Sequence, residues 1–411
     1  MADQTALYQW TAIVGAYLSR LSTTQVRVLA LWRLGMVLSR SCALPAVSLF
    51  WATALGQEAD AVRQRLRAWC DAAADKAGAQ RGVKRREVAV ADRFVPLLRW
   101  VLSWWEGQQL ALALDATTLG TTFAVRAGSV VDRGCAVPVG WVIRPAGERH
   151  AWDRAGLRLL RRLRPAVPAP MRVIVLADRG PDARWLVVRI HRLGWHPFRR
   201  VHAGGTFRPD GGRPFRRRGA GAPTPDSRWQ GTGTAFQGQA SRRRCTLLAW
   251  RQAGCAAAWL ILTDPPPEVA DAGWDGLRAW VEPGFKIPTR GGWPWQRTRM
   301  TQPDRAARRW LAVAVATRWL LSVGGAAEEP IPASTLLHVT DALTGQRRQR
   351  RATRLRGVSL FHRGWITILV ALLEQAPLPL GTFLPEPWPR VPGLAAHSVI
   401  SDPEVQYHVA A

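Results

Sequence analysis

The stretch VIVLADRG, residues 173–180, decides how this sequence is interpreted. Five apolar residues lead into Asp178, and Gly180 follows two positions later. The apolar run predicts a buried strand that ends on an acid. Asp178 then either starts a turn or caps a helix, or it is a metal ligand at the carboxyl end of a central strand, where open α/β sheets place their chemistry. This stretch alone leaves both interpretations open.

An earlier segment repeats the pattern. LALALDATTLG, residues 110–120, predicts a short apolar strand that ends on Asp115. FAVRAG (123–128) and AVPVGWVIRPAG (136–147) predict two more strands, which form a meander with the first. A helix over 151–165, the strand that leads to Asp178 and a helix over 181–194 follow. This order predicts an α/β fold, in which a mixed sheet carries helices on its faces.

The charge balance favours a polyanionic partner. The 411 residues include 57 Lys and Arg against 29 Asp and Glu, which gives a net charge of +28 and a pI near 11.6. Such an excess predicts binding to the phosphate backbone of nucleic acid. GC-rich coding is an alternative source of part of the arginine bias. Arg63 and Arg67, on a predicted helix within 58–78, are candidate DNA contacts, although an ordinary solvated helix face would look the same.

The sequence gives little support for a metal site built on cysteines, for secretion or for a membrane span. The five cysteines are scattered without short paired spacings, which argues against a zinc site or a disulfide framework. The N-terminus lacks the pattern of a secretory signal. The longest apolar run, residues 310–325, is interrupted by Arg318 and is short for a membrane span. We therefore expect a cytoplasmic protein with no membrane partner.

A third acid completes a possible metal site. DAGWDGLRAWVEPGFK, residues 271–286, predicts a helix that carries Glu282. Two acids at neighbouring strand ends and one helical glutamate can hold two Mg²⁺ ions, with Mn²⁺ as a substitute, because hard divalent cations prefer carboxylate oxygens. Two such ions, about 3.5–4 Å apart, activate an attacking oxygen and stabilise the leaving oxygen of a phosphodiester. Asp115, Asp178 and Glu282 are thus the candidate metal ligands.

These motifs resemble those of the DDE transposases of bacterial insertion sequences, in the group whose ribonuclease-H-like core carries a β insertion before the third acid. LDATTLG (114–120) resembles the motif of the first acid, and VLADRG (175–180) resembles that of the second. In the third motif, Arg278 and Glu282 keep the expected spacing. The place of the family's tyrosine falls on Asp275, beside Trp274, and the place of its lysine falls on Thr289.

The resemblance implies a ribonuclease-H-like mixed sheet with helices on both faces, a β-rich insertion and an N-terminal helical domain. It implies five segments: a helical DNA-binding domain (1–105), the first part of the core (106–195), a basic β-rich insertion (196–268), the second part of the core with the helix of the catalytic glutamate (269–327), and a basic C-terminal region for assembly (328–411).

The implied function is DNA transposition, by a nucleoid-associated protein of the bacterial cytoplasm. A transposase binds the terminal inverted repeats of its element, cuts DNA in a metal-dependent reaction and transfers the strand to target DNA, in a complex that contains at least a homodimer. The implied catalytic residues are Asp115, Asp178 and Glu282. Arg278 is expected to orient Glu282 or a phosphate.

Four further side chains are candidate DNA contacts. Lys286, one helical turn after Glu282, and Arg290, beside Thr289, are expected to clamp DNA in place of the family's lysine. Trp229 and Trp259, in or beside the insertion, are candidates for stacking on an unpaired base. Core packing is the alternative for both tryptophans.

A second function remains open at this stage. An ionised Asp275 cannot donate a hydrogen bond as a tyrosine hydroxyl does. Either the register of the third motif is shifted by one residue, with Trp274 packing on DNA in a functional variant, or the chain is a catalytically impaired or repurposed transposase that acts as a non-catalytic DNA-binding protein.

Overall fold

Two parallel apolar strands form the centre of the sheet in the computed structural model of the chain. Residues 110–114 and 173–177 are buried and pair in register, from Leu110 opposite Val173 to Leu114 opposite Ala177. Continuous apolar runs are typical of strands whose two faces are both covered. The prediction of a mixed α/β sheet with helices is therefore confirmed.

The structure describes residues 2–76, 85–147, 152–177, 183–212, 214–252, 254, 257–287, 291–327, 358–385 and 387–389. In chain order, the α-helices of these residues are α1 (Ala2–Tyr17), α2 (Thr23–Ser39), α3 (Leu44–Leu55), α4 (Ala59–Cys70), α5 (Phe94–Leu102), α6 (Trp152–Leu163), α7 (Ala183–His191), α8 (Val281–Lys286), α9 (Pro303–Ala326) and α10 (Leu360–Leu373).

The ten strands of the described residues form one sheet in the order β3-β2-β1-β4-β5-β10-β9-β8-β6-β7. They are β1 (Gln109–Leu119), β2 (Phe123–Asp132), β3 (Cys135–Pro145), β4 (Arg172–Ala177), β5 (His196–Arg200), β6 (Thr206–Pro209), β7 (Arg216–Arg217), β8 (Arg228–Ala235), β9 (Arg243–Trp250) and β10 (Trp259–Thr263). The β1–β4 and β4–β5 pairs are parallel, and the other pairs are antiparallel. The sheet therefore continues without a break from the first strands into the basic segment 196–268.

Successive side chains of β1 enter two different cores. Leu112 and Leu114 pack in the larger core, together with residues of α5, α6 and α9. Ala111 and Ala113 point to the opposite face and pack in a smaller core, which includes residues of the 3₁₀ helix Ala272–Trp280. Because side chains alternate along a strand, an apolar run is needed to fill both cores at once.

The long helix α9 is the main internal helix of the molecule. Nearly all of its side chains are buried, and it packs against β3, α2, α4 and α10. At its crossing with α10, Gly324 and Gly364 allow the two backbones to touch. A Cβ on Gly364 would overlap the carbonyl of Leu320, and one on Gly324 would overlap that of Leu360. The two glycines therefore set the distance between the helices.

The N-terminal part is helical, as the sequence predicts: its described residues form the α-helices α1 to α5. Ser22 and Gln25 form a capping box at the start of α2. The helix predicted within 58–78 ends earlier, at Cys70, and a short 3₁₀ turn, Ala73–Asp75, follows it.

Over the described residues, no single helix has the length and apolar character needed to cross a membrane. The helices α2 and α3, which meet at an angle of 96°, reach that length and composition only as a bent pair.

Candidate active-site cleft

Asp115 lies where the environment of β1 changes from buried to accessible. Residues 110–114 are buried, whereas Asp115 is half-buried and Ala116 is exposed. The prediction that the strand ends on Asp115 is wrong, because antiparallel pairing with β2 continues to Leu119 opposite Phe123. The described pairing with β4 stops at Leu114. The Asp115 carboxylate thus lies beyond the last described β4 pair, and its Oδ1 accepts a hydrogen bond of 2.7 Å from the backbone N–H of Ala116.

Glu282 is in the first turn of α8, and its side chain is 73% exposed. The predicted continuous helix is instead the 3₁₀ helix Ala272–Trp280 followed by α8. Pro283 is tolerated because the first helical turn needs no internal N–H donor. Gly284 brings α8 onto β3, since an added Cβ would lie 2.7 Å from the Cβ of Ala136. This close approach fixes Glu282 beside the sheet.

One cleft of about 690 Å³ contains both acids. Residues 115–120 of β1 and its turn form one wall, and Glu282, Phe285 and Lys286 of α8 form another. Lys286 Nζ lies 2.9 Å from Glu282 Oε1, as the spacing of one helical turn predicts. The fold therefore brings Asp115 into one open cleft with Glu282 and Lys286, which are more than 160 residues away in sequence.

Asp178 lies outside the described residues. Ala177, which precedes it, pairs with Leu114, which precedes Asp115. Thr289 and Arg290 also lie outside the described residues, so their expected roles at the cleft stay predictions. Among the residues that the structure describes, no group of three or more His, Cys, Asp or Glu side chains is arranged to hold a metal ion. Of the three acids expected to hold a metal ion, the structure therefore describes Asp115 and Glu282.

These two carboxylates fit a hard divalent cation by their chemistry. Both supply oxygen ligands of the kind that Mg²⁺ and Mn²⁺ prefer. Both also line the same open cleft of about 690 Å³, and Glu282 is accessible from solvent. A cation at this position would have to replace Lys286 as the partner of Glu282.

Asp275, at the place of the family's tyrosine, belongs to the core and not to the cleft. It is 1% exposed and forms an ion pair with Arg200 of β5. The Arg200 guanidinium lies 4.4 Å from the ring centre of Trp259, so the arginine is held between the ring and the acid. Trp274 is also buried and packs against Phe198 and Trp388. Neither Asp275 nor Trp274 is positioned to contact DNA, whereas Arg278 is half-buried on the same 3₁₀ helix.

The two candidate stacking residues differ. Trp259 is 8% exposed, packs against Trp250 and lies against the Arg200 guanidinium, which is the core packing named above as the alternative to stacking on a base. Trp229 on β8 is half-buried against Phe207 and borders a shallow cavity of about 180 Å³. Its role in DNA binding stays a prediction.

Arg63 and Arg67 lie in a different place from the acids. Both are exposed on α4 and line a second cleft, between α4 and the start of α9, together with Arg299, Arg305 and Arg309. The sequence motifs do not identify the last three residues as part of a site. A signal is present, since residues 297–309 contain five arginines, but only the fold places them opposite α4.

One more acid has partners that the sequence did not predict. Asp264 follows β10 directly, and its two oxygens pair with His191 Nδ1 at 2.7 Å and His196 Nδ1 at 2.9 Å. It thus links the end of α7 to the start of β5.

Neither a known protein-family model nor a curated protein matches this chain. Its function is therefore inferred from the geometry of the two clefts and from the sequence motifs.

Proposed function

We propose that the protein is a DNA transposase of the DDE type, which binds the terminal inverted repeats of an insertion sequence and catalyses metal-dependent DNA cleavage and strand transfer. The observation that carries this proposal is the meeting of Asp115 and Glu282 in one cleft, as the motifs predict. The strand order supports it: three antiparallel strands followed by two strands parallel to the first are what a ribonuclease-H-like core requires.

The residues of the cleft have separate tasks in this proposal. Asp115 and Glu282, with Asp178, would hold Mg²⁺ or Mn²⁺. When bound, two such ions activate an attacking oxygen and stabilise the leaving oxygen of a phosphodiester. Lys286 supplies a positive charge that attracts a DNA phosphate to the cleft. The proposed partners are the element ends and target DNA, with two copies of the chain on the DNA.

The direct test is the cleavage of a labelled DNA fragment that carries the terminal repeat and its flank, with Mg²⁺ or Mn²⁺. We expect metal-dependent nicking at the repeat boundary by the intact protein and none by Asp115→Asn or Asp178→Ala. Glu268→Gln is the matched control, because Glu268 is exposed and does not line the cleft. Equal nicking by all of these proteins would contradict the proposal.

Burial of Asp275 favours a second candidate function, a catalytically impaired or repurposed transposase that binds DNA without cutting it. At the place where the resemblance expects a tyrosine to contact DNA, this chain has an acid that is paired with Arg200. The two functions predict different results. A non-catalytic protein binds the fragment equally well with all three acids replaced and shows no nicking in its intact form.

A further inference from the structure

The second cleft, between α4 and the start of α9, has a volume of about 250 Å³ and carries a concentrated positive charge. We call it the arginine cleft. Its described lining residues include no acidic side chain and five arginines: Arg63, Arg67, Arg299, Arg305 and Arg309. Such an arrangement is unfavourable unless an anion compensates it, because like charges repel more strongly where water is partly excluded.

Arg309 indicates that the missing anion is a ligand. The residue is 3% exposed, lines the cleft, and its Nε has no hydrogen-bond partner among the described residues. Its guanidinium lies 5.0 Å from the ring centre of Trp32, which supplies no hydrogen-bond acceptor of its own. Thr298 Oγ1, also buried at this cleft, likewise has no described partner. Phosphate oxygens are acceptors of the kind that both groups lack.

The described side chains around the cleft do not supply that negative charge. Arg305 pairs with Asp71 at 2.8 Å, which occupies the nearby carboxylate. Burial raises the pKa of the Cys70 thiol to about 11, so this lining residue is neutral near pH 7. Within the described part of the chain, the positive charges of Arg63, Arg67, Arg299 and Arg309 therefore remain uncompensated.

The backbone around the cleft is also suited to an anion. The 24-residue helix α9 begins here, at Pro303, and Gln302 at its N-cap position makes no side-chain capping hydrogen bond. The first turn of a helix carries free N–H groups and a partial positive charge. Arg299, which also lines the cleft, ends the preceding 3₁₀ helix Trp295–Thr298 as its C-cap residue, with a left-handed φ of 50°.

From these observations we infer that the arginine cleft is a second, non-catalytic DNA-binding site, which holds a phosphate group of the DNA backbone. Arg63 and Arg67 favour a polymer over a small phosphate ester. They lie one helical turn apart on α4, are both exposed, and extend the positive surface beyond the cleft. Arginine also matches phosphate oxygens with two parallel hydrogen bonds. The choice of DNA as the polyanion rests on the proposed function.

The test measures DNA binding without metal, so that it does not depend on cleavage. Fluorescence anisotropy gives the affinity of the full chain for a labelled duplex of about 20 bp in EDTA, from about 50 to 200 mM NaCl. The test variant is Arg63→Gln/Arg67→Gln/Arg299→Gln, in which all three side chains are exposed and their replacement should leave the fold intact. The control, Arg154→Gln/Arg158→Gln/Arg161→Gln, removes three exposed charges from α6. Circular dichroism and thermal melting of each variant verify folding.

We expect the test variant to bind at least about tenfold more weakly and its slope of log K against log[salt] to fall by about 0.9 for each DNA phosphate that the protein no longer neutralises. The control should keep the slope of the intact protein. An equal drop in slope for both variants would mean that only the general charge matters, and would overturn the inference. A second arm adds inorganic pyrophosphate. Thermal stabilisation by pyrophosphate that duplex DNA does not compete away would also overturn it, in favour of a small phosphate ligand.

The outcome separates this inference from the proposed function. A chain that binds no duplex at all would contradict the proposed function itself. A chain that binds DNA with equal slopes in both variants would contradict the arginine cleft alone.

Discussion

Asp275 and Glu282 are two acids of the same helical segment with opposite environments. Asp275 is 1% exposed and paired with Arg200, whereas the Glu282 side chain is 73% exposed at the mouth of a cleft. The partner of Asp275 comes from a distant strand, while that of Glu282, Lys286, is one helical turn away. Removal of one partner from the buried pair would leave an uncompensated charge in the core, so Asp275 is tied to Arg200, whereas Glu282 can exchange its exposed partner for a ligand.

The largest effect that would test this comparison is the loss of cleavage in Glu282→Gln. The substitution keeps the size of the side chain but removes the negative charge that a metal ion requires. We expect metal-dependent nicking to fall by at least about 1000-fold, or about 4 kcal/mol of barrier. Single-turnover cleavage of the labelled fragment measures it. An unchanged melting temperature must accompany the loss, because the side chain is exposed; a destabilised Glu282→Gln would contradict the distinction from Asp275.

Asp275→Asn is the reciprocal change. It leaves the Arg200 guanidinium in the core without its carboxylate, and we expect the free energy of unfolding to fall by about 3 kcal/mol. Urea unfolding followed by tryptophan fluorescence measures this value. Nicking per folded molecule should stay unchanged. If Asp275→Asn keeps full stability but loses nicking, the residue acts at the site and the comparison fails.

Gly284→Ala tests whether the position of Glu282 depends on the contact between α8 and β3. The new Cβ would lie 2.7 Å from the Cβ of Ala136 and 2.9 Å from its carbonyl oxygen. Overpacking of this kind costs about 2 kcal/mol and moves α8 away from the sheet. We expect both a lower unfolding free energy and reduced nicking. Gly147→Ala is the matched control, since a Cβ there meets no atom within 4 Å; identical behaviour of the two variants would contradict the expected role of Gly284.

The smallest effect is expected from Lys286→Met. An exposed ion pair between two residues one helical turn apart contributes no more than about 0.5 kcal/mol to stability. The unfolding free energy should therefore hardly change, while the affinity for duplex DNA at low salt should fall measurably. If Lys286→Met lowers the unfolding free energy as much as Asp275→Asn does, the contribution of an ion pair to stability does not depend on its exposure, and the comparison fails.

The sequence predicts the centre of the fold well. The apolar runs 110–114 and 173–177 are typical of strands buried on two faces, and in the structure each face of the sheet packs against helical residues there. Local periodicity does not reveal where a strand stops pairing, so the apolar pattern predicts an end at Asp115 although pairing with β2 extends β1 to Leu119. The end of an apolar run shows where burial ends, and the strand itself can continue beyond that point.

The sites are less predictable because they depend on contacts that are distant in sequence. The motifs of Asp115 and Glu282 identify both acids before the fold joins them in one cleft. No local pattern shows that Asp275 finds Arg200, or that Arg309 faces Arg63 and Arg67. Trp259 illustrates the same limit, since a tryptophan beside a basic segment can equally stack on DNA or fill a core.

Mn²⁺ binding tests the central claim most directly. Mn²⁺ is titrated into the DNA-bound protein, and electron paramagnetic resonance measures the concentration of the ion that stays free. The Mn²⁺ affinity is compared between the intact chain, Glu282→Gln and Asp275→Asn. We predict binding by the intact chain, affinity at least about tenfold weaker in Glu282→Gln, and intact affinity in Asp275→Asn. No binding by the intact chain, or equal weakening by both substitutions, would contradict the assignment of the cleft as the metal site.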